Sequence, residues 1–232
     1  IASAGIIAPV IPPSIGFVVF GVAANVSISK LFLAGIVPGL MMGLAIAVAW
    51  YWVSQRENIT PPTKATTAEK LQALKESTWA LFLPVIVIVG LKMGVFTPTE
   101  AAAVAAVYAL LVATLVYREL HWRQLTAVFV SAAKTTAVIM FLVASAMVSA
   151  WLITVADIPR QLIALLKPFM DNPVLLMMAI MLLVMAVGTA MDMTPTILIL
   201  TPVLMPVVKA AGIDPVYFGV LFIMNNAIGL IT

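Results

Sequence analysis

The chain is a series of apolar runs that stop and restart at prolines, glycines and isolated polar residues: Ile15–Val26, Leu31–Val53, Trp79–Leu91, Ala101–Tyr117, Ala127–Val155, Val174–Val187, Pro195–Ala211 and Val216–Ile231. A bilayer core of about 30 Å takes roughly 20 apolar residues as a helix, and several of these runs are shorter. Lipid offers no partner to exposed backbone N–H and C=O groups, so a short or broken segment must be buried in protein or line a watery cavity. Composition agrees: 64% of the 232 residues are hydrophobic and 9% charged, where a soluble domain carries about 25% charged residues. The chain therefore reads as part of one polytopic, all-α membrane domain spanning 1–232, with the lipid bilayer as its main solvent.

Other classes drop out quickly. The net charge of +3 comes from basic residues scattered over separate short loops, which is not a nucleic-acid signal. There is no cysteine, so disulfides and thiolate metal sites are excluded. The single His121 cannot build a typical zinc site, and beside Trp122 it reads as a solvated interface residue. The 14 methionines read as packing filler. Ile1-Ala2-Ser3-Ala4-Gly5 lacks a basic start, and Gly229-Leu230-Ile231-Thr232 stops inside an apolar run. The chain is accordingly expected to be a fragment cut at both ends.

The main polar loop is 54–78, which contains Pro61-Pro62 and then Ala68–Ser77. There Glu69, Lys70, Lys75 and Glu76 predict a surface helix. A second polar connection is Arg118–Arg123, and two crossings put both connections on one side of the membrane. That side holds Arg56, Lys64, Lys70, Lys75, Arg118 and Arg123, against Lys30, Lys92, Arg160, Lys167 and Lys209 opposite. The positive-inside rule places the first set in the cytoplasm. Lys134 follows Ala127 by seven positions and is within snorkelling reach of the cytoplasmic surface.

Onward from there, Ala127–Val155 leaves the cytoplasm and Pro159–Phe169 lies near the outer surface. Val174–Val187 is a run of 14 apolar residues that halts at Gly188-Thr189-Ala190-Met191-Asp192. At 1.5 Å per residue it reaches about 21 Å, short of a crossing. With Pro195–Ala211 running back, residues 174–211 read as a re-entrant helical hairpin entering from outside; a plain spanning pair is the alternative.

Three breaks are candidates for chemistry. In Ala8-Pro9-Val10-Ile11-Pro12-Pro13-Ser14 three prolines remove three amide donors and prevent a continuous helix. Carbonyls freed in this way are costly in lipid unless water or a cation takes them, and hard cations favour oxygen ligands; a surface loop is the other reading. At the far end Asn225-Asn226 sit in an apolar run ahead of Gly229 and Thr232, where helix–helix packing explains such residues equally well. Asp192 stands at the hairpin tip. It is either a coupling-ion group or a cap on the helix that follows, with Pro195 in the first turn, and the two roles are compatible. Glu100, after Thr97-Pro98-Thr99, reads as a helix start capped by Thr97 or Thr99.

At these residues the sequence resembles the large membrane subunit of the tripartite ATP-independent periplasmic (TRAP) transporters. The matching stretches are Ile11-Pro12-Pro13-Ser14, Leu31-Phe32-Leu33-Ala34-Gly35-Ile36-Val37-Pro38-Gly39, Gly94-Val95-Phe96-Thr97-Pro98-Thr99-Glu100-Ala101-Ala102-Ala103, Met191-Asp192-Met193-Thr194-Pro195-Thr196 and Gly229-Leu230-Ile231-Thr232. They occur in the family's order across nearly the whole chain. The resemblance implies an inverted-repeat, elevator-type transporter with re-entrant hairpins and broken helices, working as a sodium symporter in the bacterial inner membrane. It also implies two partners, a small membrane subunit and a periplasmic substrate-binding protein that delivers a small organic acid (a dicarboxylate or a sugar acid). No cofactor is implied beyond Na⁺ as coupling ion, and no enzyme activity.

Carried over residue by residue, the resemblance puts one sodium site at the carbonyls of Ala8, Ile11 and Pro13, and another at Gly188, Gly229 and Thr232. Ala8 stands where the family usually has Gly. Ser14, Thr189, Asp192, Thr194 and Asn225 are the candidates for substrate binding or coupling. Two other functions compete: a related carboxylate or ion transporter without a binding protein, and an intramembrane hydrolase. The hydrolase needs a second group at the depth of Asp192, and the run of residues shows none. No P-loop pattern is present.

Overall fold

The computed structural model describes residues 5–56, 65–170 and 172–231. Among them there are helices and no strands. They are α1 (Ile15–Ala24), α2 (Ile28–Arg56), α3 (Thr67–Lys92), α4 (Pro98–Leu111) with a π-helical turn (Val112–Val116), α5 (Trp122–Val155), α6 (Ile158–Met170), α7 (Pro173–Gly188), α8 (Met193–Ala210) and α9 (Pro215–Gly229). Among the described residues five segments are long and apolar enough to cross a membrane: Ile28–Arg56, Thr67–Lys92, Pro98–Val116, Trp122–Val155 and Met193–Ala210. Helices α1, α7 and α9 are apolar but shorter. The chain is an all-α membrane protein.

Local chemistry sets most of the boundaries. Helices α4, α7 and α9 each start with a polar cap followed by proline: Thr97-Pro98, Asn172-Pro173 and Asp214-Pro215. The cap oxygen satisfies first-turn amides, and proline at the first helical position gives up an amide that has no partner in any case. Thr97 and Glu100 form a reciprocal capping box, as do Thr66 and Glu69. Thr97, not Thr99, is the cap. Asn172 Oδ1 accepts from Val174 N and Leu175 N at 3.1 and 3.3 Å. Asn172→Ala is expected to lower stability by about 1 kcal/mol, read as a fall in apparent melting temperature that Asn172→Asp restores.

One expectation changes. Residues 68–77 were expected to form a separate surface helix ahead of Trp79–Leu91, whereas α3 runs unbroken from Thr67 to Lys92. Ala, Glu, Lys, Gln and Leu are all good helix formers, so the change from polar to apolar sequence does not interrupt the backbone. Pro61-Pro62 and Lys64, from the same loop, lie outside the described residues. The second connection is also shorter than expected, because Trp122 and Arg123 open α5.

The fold divides into two compact units, one made of Ile1–Leu40 with Ser131–Thr232 and the other of Met41–Val130. In the second unit α3 and α4 are antiparallel neighbours. Tyr108 Oη donates to the Trp79 carbonyl and Tyr117 Oη to the Glu76 carbonyl, each at 2.8 Å.

The first unit holds the core. Phe20 of α1 packs with Phe218 and Phe222 of α9, with ring centroids 5.7–6.1 Å apart, and all three rings are fully buried. Helix α9 turns Phe218, Phe222, Asn226 and Gly229 to the inside, a spacing of four, four and three residues that keeps them on one helical face. Helix α8 does the same with Ile197, Thr201, Leu204 and Val208. The α2 glycines form a slot for the broken segment before α1. A Cβ on Gly35 would lie 2.9 Å from the Val10 carbonyl oxygen and 2.5 Å from the Phe17 ring, and one on Gly39 would lie 2.7 Å from the Ile11 side chain.

Candidate ion and substrate sites

Three prolines and a buried serine shape the first break. Residues 6–10 form turns and 11–13 bends, with a cis bond at Pro12-Pro13. Ser14 is 5% exposed. Its hydroxyl donates to the Pro9 carbonyl and accepts from Phe17 N, so one side chain both closes the loop and caps α1. The amides of Val10 and Ile11 both reach the Ile7 carbonyl at 3.0 Å.

The second break joins α7 to α8. Asp192 accepts from Met193 N at 2.7 Å and its carbonyl accepts from Thr196 N, with Thr196 Oγ1 also donating there. The cap role expected for Asp192 is present, with the helix beginning at Met193 and Pro195 in its first turn. Thr189 Oγ1 donates to the Ala186 carbonyl at 2.8 Å.

A cavity of about 340 Å³ brings the two breaks together. Ala8, Pro9 and Pro13 line it with Ser14, Ile15 and Gly16 at the start of α1 and with Met193 and Thr194 at the start of α8. Residues some 180 positions apart in the chain meet here. The walls include the first turns of two helices, where unpaired amides and the helix dipole favour an anion. Of the expected residues Ala8, Pro13, Ser14 and Thr194 share this cavity; Ile11 sits against Gly39 instead.

Helix C-termini meet at a second place in the unit. Helices α7 and α9 end against one another at Gly188 and Gly229. A Cβ on Gly229 would lie 3.1 Å from the Met185 carbonyl oxygen and 3.2 Å from Gly188 Cα. A side chain at either position would push its neighbours apart. The last carbonyls of a helix lack partners within it. In α7 those of Met185, Ala186 and Val187 are taken by Thr189 N, Thr189 Oγ1 and the amides of Ala190 and Met191. That leaves the Gly188 carbonyl outside the capping scheme. Two negative helix ends in contact repel, and a cation between them would relieve that repulsion.

The family resemblance assigns Gly188 and Gly229 to one site, and α7 and α9 bring the two together. Thr232 lies outside the described residues. Asn225 Nδ2 donates to the Met181 carbonyl, tying α9 to α7. Lys134 and His121 are exposed. Asn226, Met193 and Gly16 at these sites were not singled out individually. The signal for Asn226 was the helical spacing from Phe218 and Phe222, which aims it inward, while Asn225 is only partly buried.

The chain is 59% identical over its whole length to the large permease protein of the 2,3-diketo-L-gulonate TRAP transporter of Escherichia coli (strain K12), covering 55% of that protein. It is 39% identical to the sialic acid TRAP transporter large permease protein of Vibrio cholerae, covering 54%. It is 36% identical to the C4-dicarboxylate TRAP transporter large permease protein of Pseudomonas aeruginosa, covering 54%. The chain thus spans about half the length of the curated relatives it matches. Residues 1–232 match in full the family described as the tripartite ATP-independent periplasmic transporter, DctM component, and the chain belongs to that family of membrane transport permeases.

Proposed function

We propose that the protein carrying this chain imports a small organic acid across the bacterial inner membrane, driven by Na⁺. The observation that supports this reading is the polarity of the first unit. Helix N-termini line the Ser14–Thr194 cavity, while helix C-termini meet at Gly188 and Gly229. The first arrangement suits a carboxylate and the second a cation. Relatives whose names specify 2,3-diketo-L-gulonate, sialic acid and C4-dicarboxylates support a substrate in the class of small organic acids. A cavity of about 340 Å³ falls in the lower range for small-molecule sites.

In this reading the α7–α8 hairpin is re-entrant and moves with α1 and α9 as an elevator. A sodium ion is held by carbonyls of Gly188, Gly229 and Thr232, and another by those of Ala8, Ile11 and Pro13. Thr194 supplies a hydroxyl to the acid and Ser14 shapes the same cavity, its own proton held by the Pro9 carbonyl, while Thr189, Asp192 and Asn225 hold the hairpin and its neighbour in shape. A small membrane subunit and a periplasmic binding protein complete the system. Inward Na⁺ supplies about 2.3 kcal/mol per charge per 100 mV of membrane potential, so two ions drive accumulation without ATP.

The test is uptake into vesicles containing the complete transporter and its binding protein, with Na⁺ replaced by K⁺. Accumulation is expected to disappear with K⁺. Accumulation of equal extent in both salts would remove sodium coupling from the reading, and uptake without the binding protein would favour a simpler carrier.

A further inference from the structure

Asn226 of α9 is fully buried, yet only half of its side-chain amide is satisfied. Its Nδ2 donates to the Met193 carbonyl at 3.4 Å. Its Oδ1 has no hydrogen-bond partner among the described residues. The chemistry of the neighbour decides which atom is which. A carbonyl accepts and cannot donate, so the NH₂ group must face Met193 and the oxygen must face the other way. That other side is Gly188, where a Cβ would stand 2.8 Å from Oδ1. A buried acceptor left without a donor is costly, and here it is aimed at the meeting point of two helix C-termini.

We propose that Asn226 Oδ1 is a ligand of the cation held where α7 and α9 end, and that its Nδ2 carries the ion's presence to the start of α8. The inference rests on the sodium-coupled reading above and assigns a residue that reading did not use. An amide oxygen is the ligand type a hard cation takes. A cation on Oδ1 polarises the same amide group and strengthens the bond from Nδ2 to the Met193 carbonyl, as in any hydrogen-bond chain. Met193 and Thr194 form the first turn of α8 and line the cavity assigned to the acid. Ion occupancy at the Gly188–Gly229 contact is thereby linked to the shape of the substrate cavity through one side chain, which explains why an uncharged polar residue stands in a helix that is otherwise apolar on its inner face.

The experiment uses the complete purified transporter with two readouts, thermal stabilisation as Na⁺ is titrated and Na⁺-dependent uptake in vesicles. Asn226→Leu removes the oxygen and is expected to raise the half-saturating Na⁺ concentration at least tenfold in both. Asn226→Asp keeps an oxygen towards Gly188 but turns a second one on the Met193 carbonyl. It is expected to stay within threefold of the unmodified protein for Na⁺ stabilisation while losing more than tenfold in uptake. An Asn226→Leu protein with an unaltered Na⁺ titration overturns the ligand assignment. Should that variant fail to fold, an Asn226→Asp protein that no longer responds to Na⁺ in the melting assay does the same. Unimpaired uptake by Asn226→Asp overturns the link to α8. An unmodified transporter that is neither stabilised nor driven by Na⁺ sinks the sodium reading itself, which separates the two failures.

Discussion

Gly35→Ala is expected to disable the transporter although residue 35 touches neither of the proposed ligands. The added methyl group would lie 2.9 Å from the Val10 carbonyl oxygen and 2.5 Å from the Phe17 ring. Phe17 has no room to retreat, because it is fully buried and meets Phe32 edge-on at 6.3 Å. Something must shift, and the Val10–Ile11 backbone is the part of this contact not held inside a helix. Overpacking of this kind costs about 1–3 kcal/mol. The functional loss is expected to exceed the stability loss, because Val10–Ile11 belongs to the segment whose Ala8, Pro9, Pro13 and Ser14 line the cavity. Uptake should fall more than tenfold while the apparent melting temperature of the intact protein falls only moderately. Gly5→Ala, which meets nothing within 4 Å, serves as the control. If Gly35→Ala transports as well as that control, the close seating of the broken segment on α2 has no functional weight.

Phe222→Ala should give the largest loss of stability in the first unit. Its ring is fully buried between Phe20 and Phe218, with centroids 5.8 and 5.7 Å away. Removing a buried Phe costs about 3–5 kcal/mol in water-soluble cores. In a bilayer the transfer part shrinks, because lipid is as apolar as the core and packing carries the association. A loss of about 3 kcal/mol is therefore the expectation, seen as a large drop in apparent melting temperature in detergent. Phe141→Ala, at a ring 74% exposed, should change little. Equal behaviour of the two variants would mean that the α1–α9 aromatic cluster is not what holds these helices together.

Much of this fold can be read from residue order, and the reason is local. The pairs Thr97-Pro98, Asn172-Pro173 and Asp214-Pro215 announce helix starts through chemistry confined to a few neighbouring atoms. Asp192 as a cap and the break at Pro12-Pro13 belong to the same class. Continuity of α3 through the polar stretch was missed because hydropathy reports the solvent around a helix and not the helix itself. The rest depends on distant partners. Gly35 and Gly39 show small-residue spacing, but nothing near them in sequence says that the Val10–Ile11 backbone fills the slot. The Asn225-Asn226 doublet is visible at once, whereas the choice between its members depends on bonds to Met181 and Met193, 44 and 33 residues away. A cavity shared by Ala8, Pro9 and residues 13–16 with Met193 and Thr194 is likewise a product of chain return.

The two tyrosine ties between α3 and α4 carry a mechanical consequence. A single cross-link between antiparallel rods still permits pivoting about that point. Tyr108 and Tyr117 attach at Trp79 and Glu76, nine residues apart on one helix and three on the other. A second anchorage resists the sliding and swivelling that a single one leaves open, and so stiffens the α3–α4 pair near Glu76 and Trp79.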